Sequence, residues 1–544
     1  MSNEKLALLG DEAVALGAIH AGISAAYGYP GTPSTEILQY LIDEYAKNPA
    51  GPVAAWCSNE KTALEAALGV SFAGRRALVT MKHVGLNVAS DPFINAALLK
   101  IKGGLVIAVA DDPGMHSSQN EQDSRFYAGF AMVPCLEPRN QQEAYDMVRE
   151  AFDVSECFNI PVLLRIVTRL AHARAGIVTA NKKPQNKVSK TGEKGGWLLL
   201  PAFARKNYAA LLDKQPVFEE WAFKHPVNKL TGKKSDLGII TAGIGCNYYE
   251  ENLEDFIAMR KKQGKKAPIH LHIGAYPLPG KLIRKLCENT DEVIVIEEGQ
   301  NFIAGKLFGV TGGVFTNVKP LIQSGELDPD NVRAALGLAP RKSGLRTPAN
   351  LPQRPPQLCQ GCPHADSYET INKAADALDP RPGRPDIGIN SDIGCYSLGA
   401  TPPYSAIESV ICMGACIGMA KGASDAGLKH SLAVIGDSTF IHSGITALID
   451  AVASDTPMTI IILDNSSVAM TGCQPTIVPS EKLENLILGC GVNREHILVL
   501  EAKKQLLEEN TAKLKSEIEY RGLSVVIFRR ECLEAFRKNK KMNF

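Results

Sequence analysis

Short apolar runs separated by helical patterns recur along the chain, and this alternation narrows the possible folds more than any other feature. Ala25 to Tyr29, Val53 to Trp56, Ala77 to Met81, Leu105 to Ala110 and Val162 to Ile166 follow one another between Asp11 and about Ile177. Strands with a helix between each pair are expected to lie parallel, as βαβ units. A second such pattern runs from Leu237-Gly-Ile-Ile-Thr-Ala-Gly through His270-Leu-His-Ile to Val293-Ile-Val-Ile-Glu-Glu. A third has strands at Val434-Ile-Gly, Thr459 to Leu463 and Ser524 to Phe528. The expectation is an α/β protein of three doubly wound domains in series. Its 544 residues are more than three times the roughly 150 of an ordinary domain, which agrees.

Two segments interrupt the pattern. Asn181 to Lys194 carries five lysines, one glutamate and no apolar periodicity, as a solvated surface connection would. Leu327 to Pro356 holds Pro329, Pro340, Pro348, Pro352, Pro355 and Pro356 and reads as an extended linker. The expected division is 1–180, a connection 181–234, 235–326, a linker 327–356, and 357–544. No short-period repeat is present.

Lys+Arg 59 against Asp+Glu 58 leaves a net charge of +1, so no whole-chain field attracts nucleic acid or an anionic membrane. With 45% hydrophobic and 22% charged residues the chain is of ordinary globular composition. The amino terminus has no basic segment leading into a long apolar one, and no run reaches about 18 apolar residues, so a cytoplasmic protein without a membrane span is expected. In such a reducing compartment the 13 cysteines are metal ligands or free thiols rather than a disulfide scaffold.

The third α/β unit carries the most pointed chemistry. One apolar strand ends at Gly436-Asp437 and another at Asp464-Asn465, the asparagine 28 residues beyond Asp437. In a parallel sheet both ends lie on the edge where ligands bind. Asp437 and Asn465 could then share a hard cation such as Mg2+, with Gly436 letting a diphosphate approach the backbone. The same pairs can also simply turn the chain. In the first unit Glu60 opens a helix just past the Val53 to Trp56 strand, as a candidate proton-handling acid or as an ordinary acidic residue of a first turn. His116, Gln119, Asn120 and Arg125 fall in the loop after the Leu105 strand, where a His and an Arg suit a carboxylate or phosphate; Lys82 and His83 follow the neighbouring strand.

Several motifs together resemble the 2-oxoacid:ferredoxin oxidoreductases, most closely the large thiamine-binding alpha subunits of the indolepyruvate type. They are Gly28-Tyr-Pro-Gly-Thr-Pro-Ser-Thr-Glu-Ile37, Asn59-Glu60, Asp111-Asp-Pro-Gly-Met-His-Ser-Ser-Gln-Asn-Glu-Gln-Asp-Ser-Arg125, Leu358-Cys-Gln-Gly-Cys-Pro-His364 and Gly436-Asp437 through Thr471-Gly-Cys-Gln-Pro475. The resemblance covers nearly the whole chain. It implies a pyrimidine-binding domain and a diphosphate-binding domain flanking a transketolase C-terminal-like one, with thiamine diphosphate and Mg2+ bound. By motif position Glu60 resembles the glutamate that activates the cofactor and Thr32 the residue facing the substrate carboxylate. Gly436, Asp437, Ser438, Asn465, Thr471 and Gln474 resemble cofactor-binding positions. Ser438 stands where the motif usually has glycine, and Cys473 where Gly or His is commoner.

Cys359 and Cys362 form a Cys-x-x-Cys, Cys395 lies in Asp392-Ile-Gly-Cys-Tyr-Ser, and Cys532 follows the last strand in Phe528-Arg-Arg-Glu-Cys-Leu. Spacing leaves zinc, an iron-sulfur cluster and, for the Cys-x-x-Cys, a thiol-disulfide pair open. The resemblance implies one 4Fe-4S cluster, with Cys490 as the substitute for Cys532. Cys412 and Cys416 are expected in the core of an apolar helix.

The implied reaction removes carbon dioxide from a 2-oxoacid, in this branch an arylpyruvate. It passes two electrons one at a time through the cluster and delivers the acyl group to coenzyme A. A smaller beta subunit and a cluster-bearing protein or ferredoxin are implied as partners. Many alpha subunits of the resembled family continue into a ferredoxin-like domain; this sequence stops at Phe544, twelve residues after Cys532, so the outgoing clusters are expected from a partner. A non-oxidative thiamine-dependent decarboxylase, which needs no cluster, and a thiamine-binding scaffold subunit without turnover are the alternatives.

Overall fold

The computed structural model describes residues 5–48, 51–189, 196–310, 318–320, 325–341 and 357–542. The chain divides into two units, Met1–Arg346 and Thr347–Phe544.

The first unit holds two large sheets and a two-stranded one, Lys5–Leu9 antiparallel to Arg174–Val178. Its seven-stranded sheet runs, in order, Ala275–Tyr276, Cys135–Leu136, Val162–Val167, Leu105–Asp111, Ala77–Lys82, Ala25–Gly28 and Val53–Trp56. All neighbours are parallel except the first pair. Its helices include α1 (Gly10–His20), α2 (Thr35–Ala46), α3 (Glu60–Phe72), α4 (Arg125–Ala131), α5 (Thr168–His172), α6 (Pro201–Lys224) and α7 (Pro329–Ala335). Asn59 starts α3 in the manner of a capping box: its side chain accepts from the Thr62 N–H at 2.9 Å while the Thr62 hydroxyl takes the Asn59 N–H. Glu60 is thereby held as the first helical residue. Gly28 ends its strand where a Cβ would stand 2.7 Å from the Thr80 carbonyl oxygen, so the close pairing of these strands needs glycine.

The second sheet runs Val318–Pro320, Glu292–Ile296, Leu237–Ala242, Ile269–Ile273 and Lys229–Thr231, the last antiparallel. It is the second α/β pattern of the sequence, except that Ala275–Tyr276 crosses to the edge of the seven-stranded sheet.

Two expectations about connections are corrected. Within the expected surface connection 181–234, α6 is a helix of 24 residues that buries Leu211 and Phe218 in an apolar cluster shared with both large sheets of the unit. Within the expected linker 327–356, α7 begins at Pro329, with Asp328 capping the Asn331 N–H at 2.6 Å. Proline is favoured at the first helical position because the N–H it lacks has no partner there. Residues 342–356 of that segment lie outside the described residues.

The second unit holds a six-stranded, all-parallel sheet: Ser409–Val410, Ile387–Ser391, His430–Gly436, Met458–Asp464, Leu523–Arg529 and Ile497–Glu501. Both faces are covered, so its central strands read as unbroken apolar runs. Leu432, Val434, Ile461, Leu463, Val526 and Phe528 pack on one side; Ala433, Ile435, Ile460, Ile462, Val525 and Ile527 pack on the other. The four strands Ile387–Ser391, His430–Gly436, Met458–Asp464 and Leu523–Arg529 are consecutive in the sheet, so their carboxyl ends form one continuous edge.

Candidate functional site

That edge delivers Cys395, Asp437, Asn465 and Cys532 from four adjoining strands. Asp437 is buried; its carboxylate accepts the N–H groups of Ser438 and Ser466, each at 2.8 Å. Ser466 adopts φ +59 to aim its N–H there, a left-handed conformation that a serine adopts only at some cost. Burial first, then the neighbouring Asp464, pushes the Asp437 carboxyl up to about 8. Asp464 is ion-paired to Arg529 at 2.9 Å, whereas Asp437 has no side-chain cation among the described residues. A buried acid raised in this way is one that a divalent cation would return to its charged form. Asn465 turns its Oδ1 to the Ser467 N–H at 3.1 Å and its Nδ2 to His364 Nε2 at 3.2 Å. A lone pair of its oxygen remains for a metal. This donor set of hard oxygens fits Mg2+.

Gly436 also has a packing task. A Cβ there would stand 2.4 Å from Cε1 of Tyr396, and a Cβ on Gly394 would meet the same ring atom at 2.4 Å. The glycines of the Gly-Asp and Ile-Gly-Cys motifs therefore clasp one tyrosine, whose hydroxyl donates to the Ile393 carbonyl at 2.8 Å. Thr471 and Gln474 also serve each other: the Thr471 hydroxyl donates to Gln474 Oε1 at 2.6 Å, and Gln474 Nε2 donates to the Thr471 carbonyl at 2.9 Å. They shape the loop carrying Gly472 and Cys473, at φ +121 and +61.

The four cysteines meet in one cavity of about 210 Å³, lined also by His364, Asn465 and Met470. Gly361, at φ +78, turns the Cys-x-x-Cys so that the Cys362 N–H reaches the Cys359 carbonyl at 2.9 Å. Arg530 ties that turn to the last strand, donating to the Gly361 carbonyl at 3.0 Å and to Asp366 at 2.6 Å, while the Cys532 N–H reaches the Asn465 carbonyl at 3.1 Å. Burial, then Cys362, Cys532 and Cys359, pushes the Cys395 thiol up to about 12; burial and the same neighbours raise Cys362. Among the described residues no three of these sulfurs lie within 4.8 Å of one another. A single zinc with bonds of about 2.3 Å would draw its thiolates to about 3.8 Å apart. Four thiols at one cavity are a donor set that fits a cluster, whose irons take ligands at separate corners. Cys490 lies elsewhere, against the opposite apolar cluster, so Cys532 is the fourth thiol at the cavity. Cys416 is buried in that same cluster as expected; Cys412 is exposed, ahead of the Ala415–Asp425 helix, which corrects its placement in the core.

In the first unit Glu60 is buried against Gly85, where a Cβ would come 2.5 Å from Glu60 Oε1. Lys82, whose aliphatic stem passes Gly31, has its ammonium 2.9 Å from the Ser117 carbonyl; burial pushes it down to about 8 against the pull of Asp112 and Glu60. The Ser117 hydroxyl donates to the Thr32 carbonyl at 3.0 Å. Glu60, Lys82, Thr32 and the loop after Leu105–Asp111 thus form one neighbourhood. Asp112, which accepts from Ser117, Ser118 and Thr168, anchors that loop and went unremarked in the sequence, where it is one acid among several. His83 is buried, with Nε2 3.0 Å from the Asn120 carbonyl. His116 is half exposed and lies 3.2 Å from Glu326.

Arg125 is the clear correction. It is 0% exposed, with Asp123 at 2.5 Å, Glu297 at 3.0 Å and Glu137 at 3.7 Å. Arg165 beside it meets Asp111 at 2.6 Å and Glu137. Burial opposes the charge of Arg125, but Asp123, Glu137 and Glu297 hold it protonated more firmly than usual. With its donors taken by these acids it offers nothing to a substrate anion, and it ties the seven-stranded sheet to the end of the Glu292–Ile296 strand.

Comparison with known proteins agrees with this geometry. Residues 16–197 match the family described as pyruvate flavodoxin/ferredoxin oxidoreductase, thiamine diP-bdg, and residues 392–526 match the thiamine pyrophosphate enzyme, C-terminal TPP binding domain. Both are thiamine-binding domains, and the class is that of the thiamine-dependent enzymes. The chain is 36% identical to indolepyruvate oxidoreductase subunit IorA of Archaeoglobus fulgidus, over 97% of its own length and 86% of that protein. It is also 36% identical to the subunit of the same name from Methanothermobacter marburgensis, over 97% of its own length and 87% of that protein. The chain belongs to the 2-oxoacid:ferredoxin oxidoreductases, in their indolepyruvate oxidoreductase subunit family. A 2-oxoglutarate:ferredoxin oxidoreductase from Magnetococcus marinus, solved with 2-oxoglutarate, coenzyme A and succinyl-CoA bound, shares the fold. Its TM-score is 0.50 at 18% identity, over 62% of this chain and 65% of that one. Among the described residues no helix is long and apolar enough to cross a membrane.

Proposed function

We propose that this chain is the thiamine diphosphate-binding subunit of an oxidoreductase that converts an arylpyruvate such as indolepyruvate, with coenzyme A, to the acyl thioester. The observation that carries this reading is the convergence of Asp437, Asn465, Cys395 and Cys532 on one sheet edge, with Cys359 and Cys362 lining the same cavity as Asn465 and the other two thiols. Asp437 and Asn465 would hold Mg2+ and, through it, the diphosphate. Cys359, Cys362, Cys395 and Cys532 would hold one 4Fe-4S cluster, a reading supported by four thiols lining one cavity. When bound, thiamine diphosphate supplies carbanion chemistry and the cluster takes single electrons. Glu60, shielded from water by α3 and Gly85, would hold a proton at its carboxyl group against the pyrimidine ring. Thr32 and His116 would meet the substrate carboxylate, and Lys82 would supply positive charge beside Glu60. Thr471 and Gln474 would keep the loop bearing Cys473 in shape at the cofactor. The partners in this reading are a smaller beta subunit and a ferredoxin or cluster-bearing electron carrier, in the cytoplasm.

Asp437→Ala and Glu60→Gln separate the roles. Calorimetry of the Asp437 variant should show thiamine diphosphate binding weakened at least about tenfold, whereas Glu60→Gln should bind the cofactor and lose turnover. Wild-type affinity in the Asp437 variant would remove the diphosphate assignment.

A further inference from the structure

Three side chains that the thiamine-binding reading leaves unused meet beside the first unit's seven-stranded sheet. Asp11 lies in the first turn of α1, Glu36 in the first turn of α2, and His172 ends α5. A carboxylate oxygen from each acid and a ring nitrogen of His172 fall within 4.8 Å of one another, the one such trio among the described residues. Close packing of α1 on α5 makes this possible: a Cβ on Gly10 would stand 2.2 Å from the Leu170 carbonyl oxygen, so only glycine lets Asp11 come so near the helix of His172.

Asp11 is 0% exposed, and neither of its carboxylate oxygens has a hydrogen-bond partner. Glu36 Oε2 likewise accepts no hydrogen bond and stands 3.6 Å from His172 Nε2. Buried polar groups are nearly always satisfied, and leaving a carboxylate without donors beside a second one is costly. His172 pairs with Glu36, so the two Asp11 oxygens are what still need a positive partner, either a proton or a cation.

We propose that Asp11, Glu36 and His172 bind one divalent transition cation, Zn2+ in the first instance. Two carboxylate oxygens and one imidazole nitrogen are a donor set suited to Zn2+, whereas Mg2+ and Ca2+ favour oxygen alone. Each acid sits at the amino end of a helix, where the backbone already favours negative charge and keeps the carboxylates ready as ligands. His172 is 37% exposed and gives the ion its way in. The competing occupant is a proton shared by Asp11 and Glu36, since burial and then Glu36 hold the Asp11 carboxyl well above the usual range.

The test uses the oxygen-free holoprotein with its iron loaded and with thiamine diphosphate and Mg2+ saturating, so that the cysteines and Asp437 are occupied. Buffered Zn2+ is added by equilibrium dialysis, and zinc and iron are counted together. Wild type should take up one zinc per chain that Asp11→Asn and His172→Gln take up at least about tenfold more weakly, with iron unchanged. Zn2+ should also raise the melting temperature of wild type and not of Asp11→Asn. The asparagine can donate to Glu36, so that variant folds whichever occupant is right. Equal zinc uptake by wild type and both variants would overturn the site in favour of the shared proton.

Discussion

Arg125, at the start of α4, and Asp437, just past the His430–Gly436 strand, are both buried ionisable groups, and their surroundings give them opposite meanings. Asp437 faces a second acid and two backbone N–H groups, with no side-chain cation paired to it among the described residues. Arg125 faces three acids and serves as the counter-charge itself. From sequence, Arg125 reads as an anion-binding residue because its loop follows a strand on the ligand-facing edge. Glu137 and Glu297, which claim it, are remote in the chain and belong to other elements. Asp437 was legible because its partner Asn465 sits at a spacing set by one βαβ unit. Removing one member of a buried charge network costs about 3–5 kcal/mol. Arg125→Met should therefore lower the urea midpoint strongly, in proportion to that loss. A variant of unchanged stability with only a raised KM would return Arg125 to the substrate.

At the scale of elements, the parallel strands were the legible part, because a strand buried on both faces is apolar throughout and short. Helix α6 was not. Its apolar residues are spread round the helix, with Tyr208, Leu212 and Val217 exposed, Pro216 lies inside it, and only Leu211, Phe218 and Ala222 with Asn207 turn fully inward. A long amphipathic segment with so thin an apolar stripe is hard to separate from a solvated connection. Phe218→Ala should cost about 3–5 kcal/mol by the lost burial and the cavity left behind, measured by denaturant unfolding. A change under about 0.5 kcal/mol would return α6 to the surface. The Cys-x-x-Cys turn was readable from its own motif, whereas the choice of Cys532 over Cys490 rested on the resemblance, since both stand near late strands. Packing separates them. Cys532→Ser should lose most of the iron from protein purified without oxygen, and Cys490→Ser should keep about four irons per chain. The reverse pattern would exchange the two residues.

For the whole molecule, three largely parallel sheets, two thiamine-binding domains and the family were all within reach of the sequence, because each rests on a local period or a compact motif. The joining of the first two sheets into one unit was not. It depends on the crossing strand Ala275–Tyr276, on α6 and on the Arg125 and Arg165 network, none of which has a local signature. The uncommitted trio Asp11, Glu36 and His172 was hidden for the same reason, since its members come from three separate helices.

The central claim is that thiamine chemistry and a cluster held by this chain together oxidise a 2-oxoacid. It is tested most directly by identifying the product. The chain, co-purified without oxygen with the subunit that accompanies it, is given indolepyruvate, coenzyme A and a one-electron viologen acceptor, and the organic product is read by mass spectrometry. The account predicts the indoleacetyl thioester of coenzyme A with two viologens reduced per thioester. Release of indoleacetaldehyde with no viologen reduction would contradict it and make the protein a non-oxidative decarboxylase.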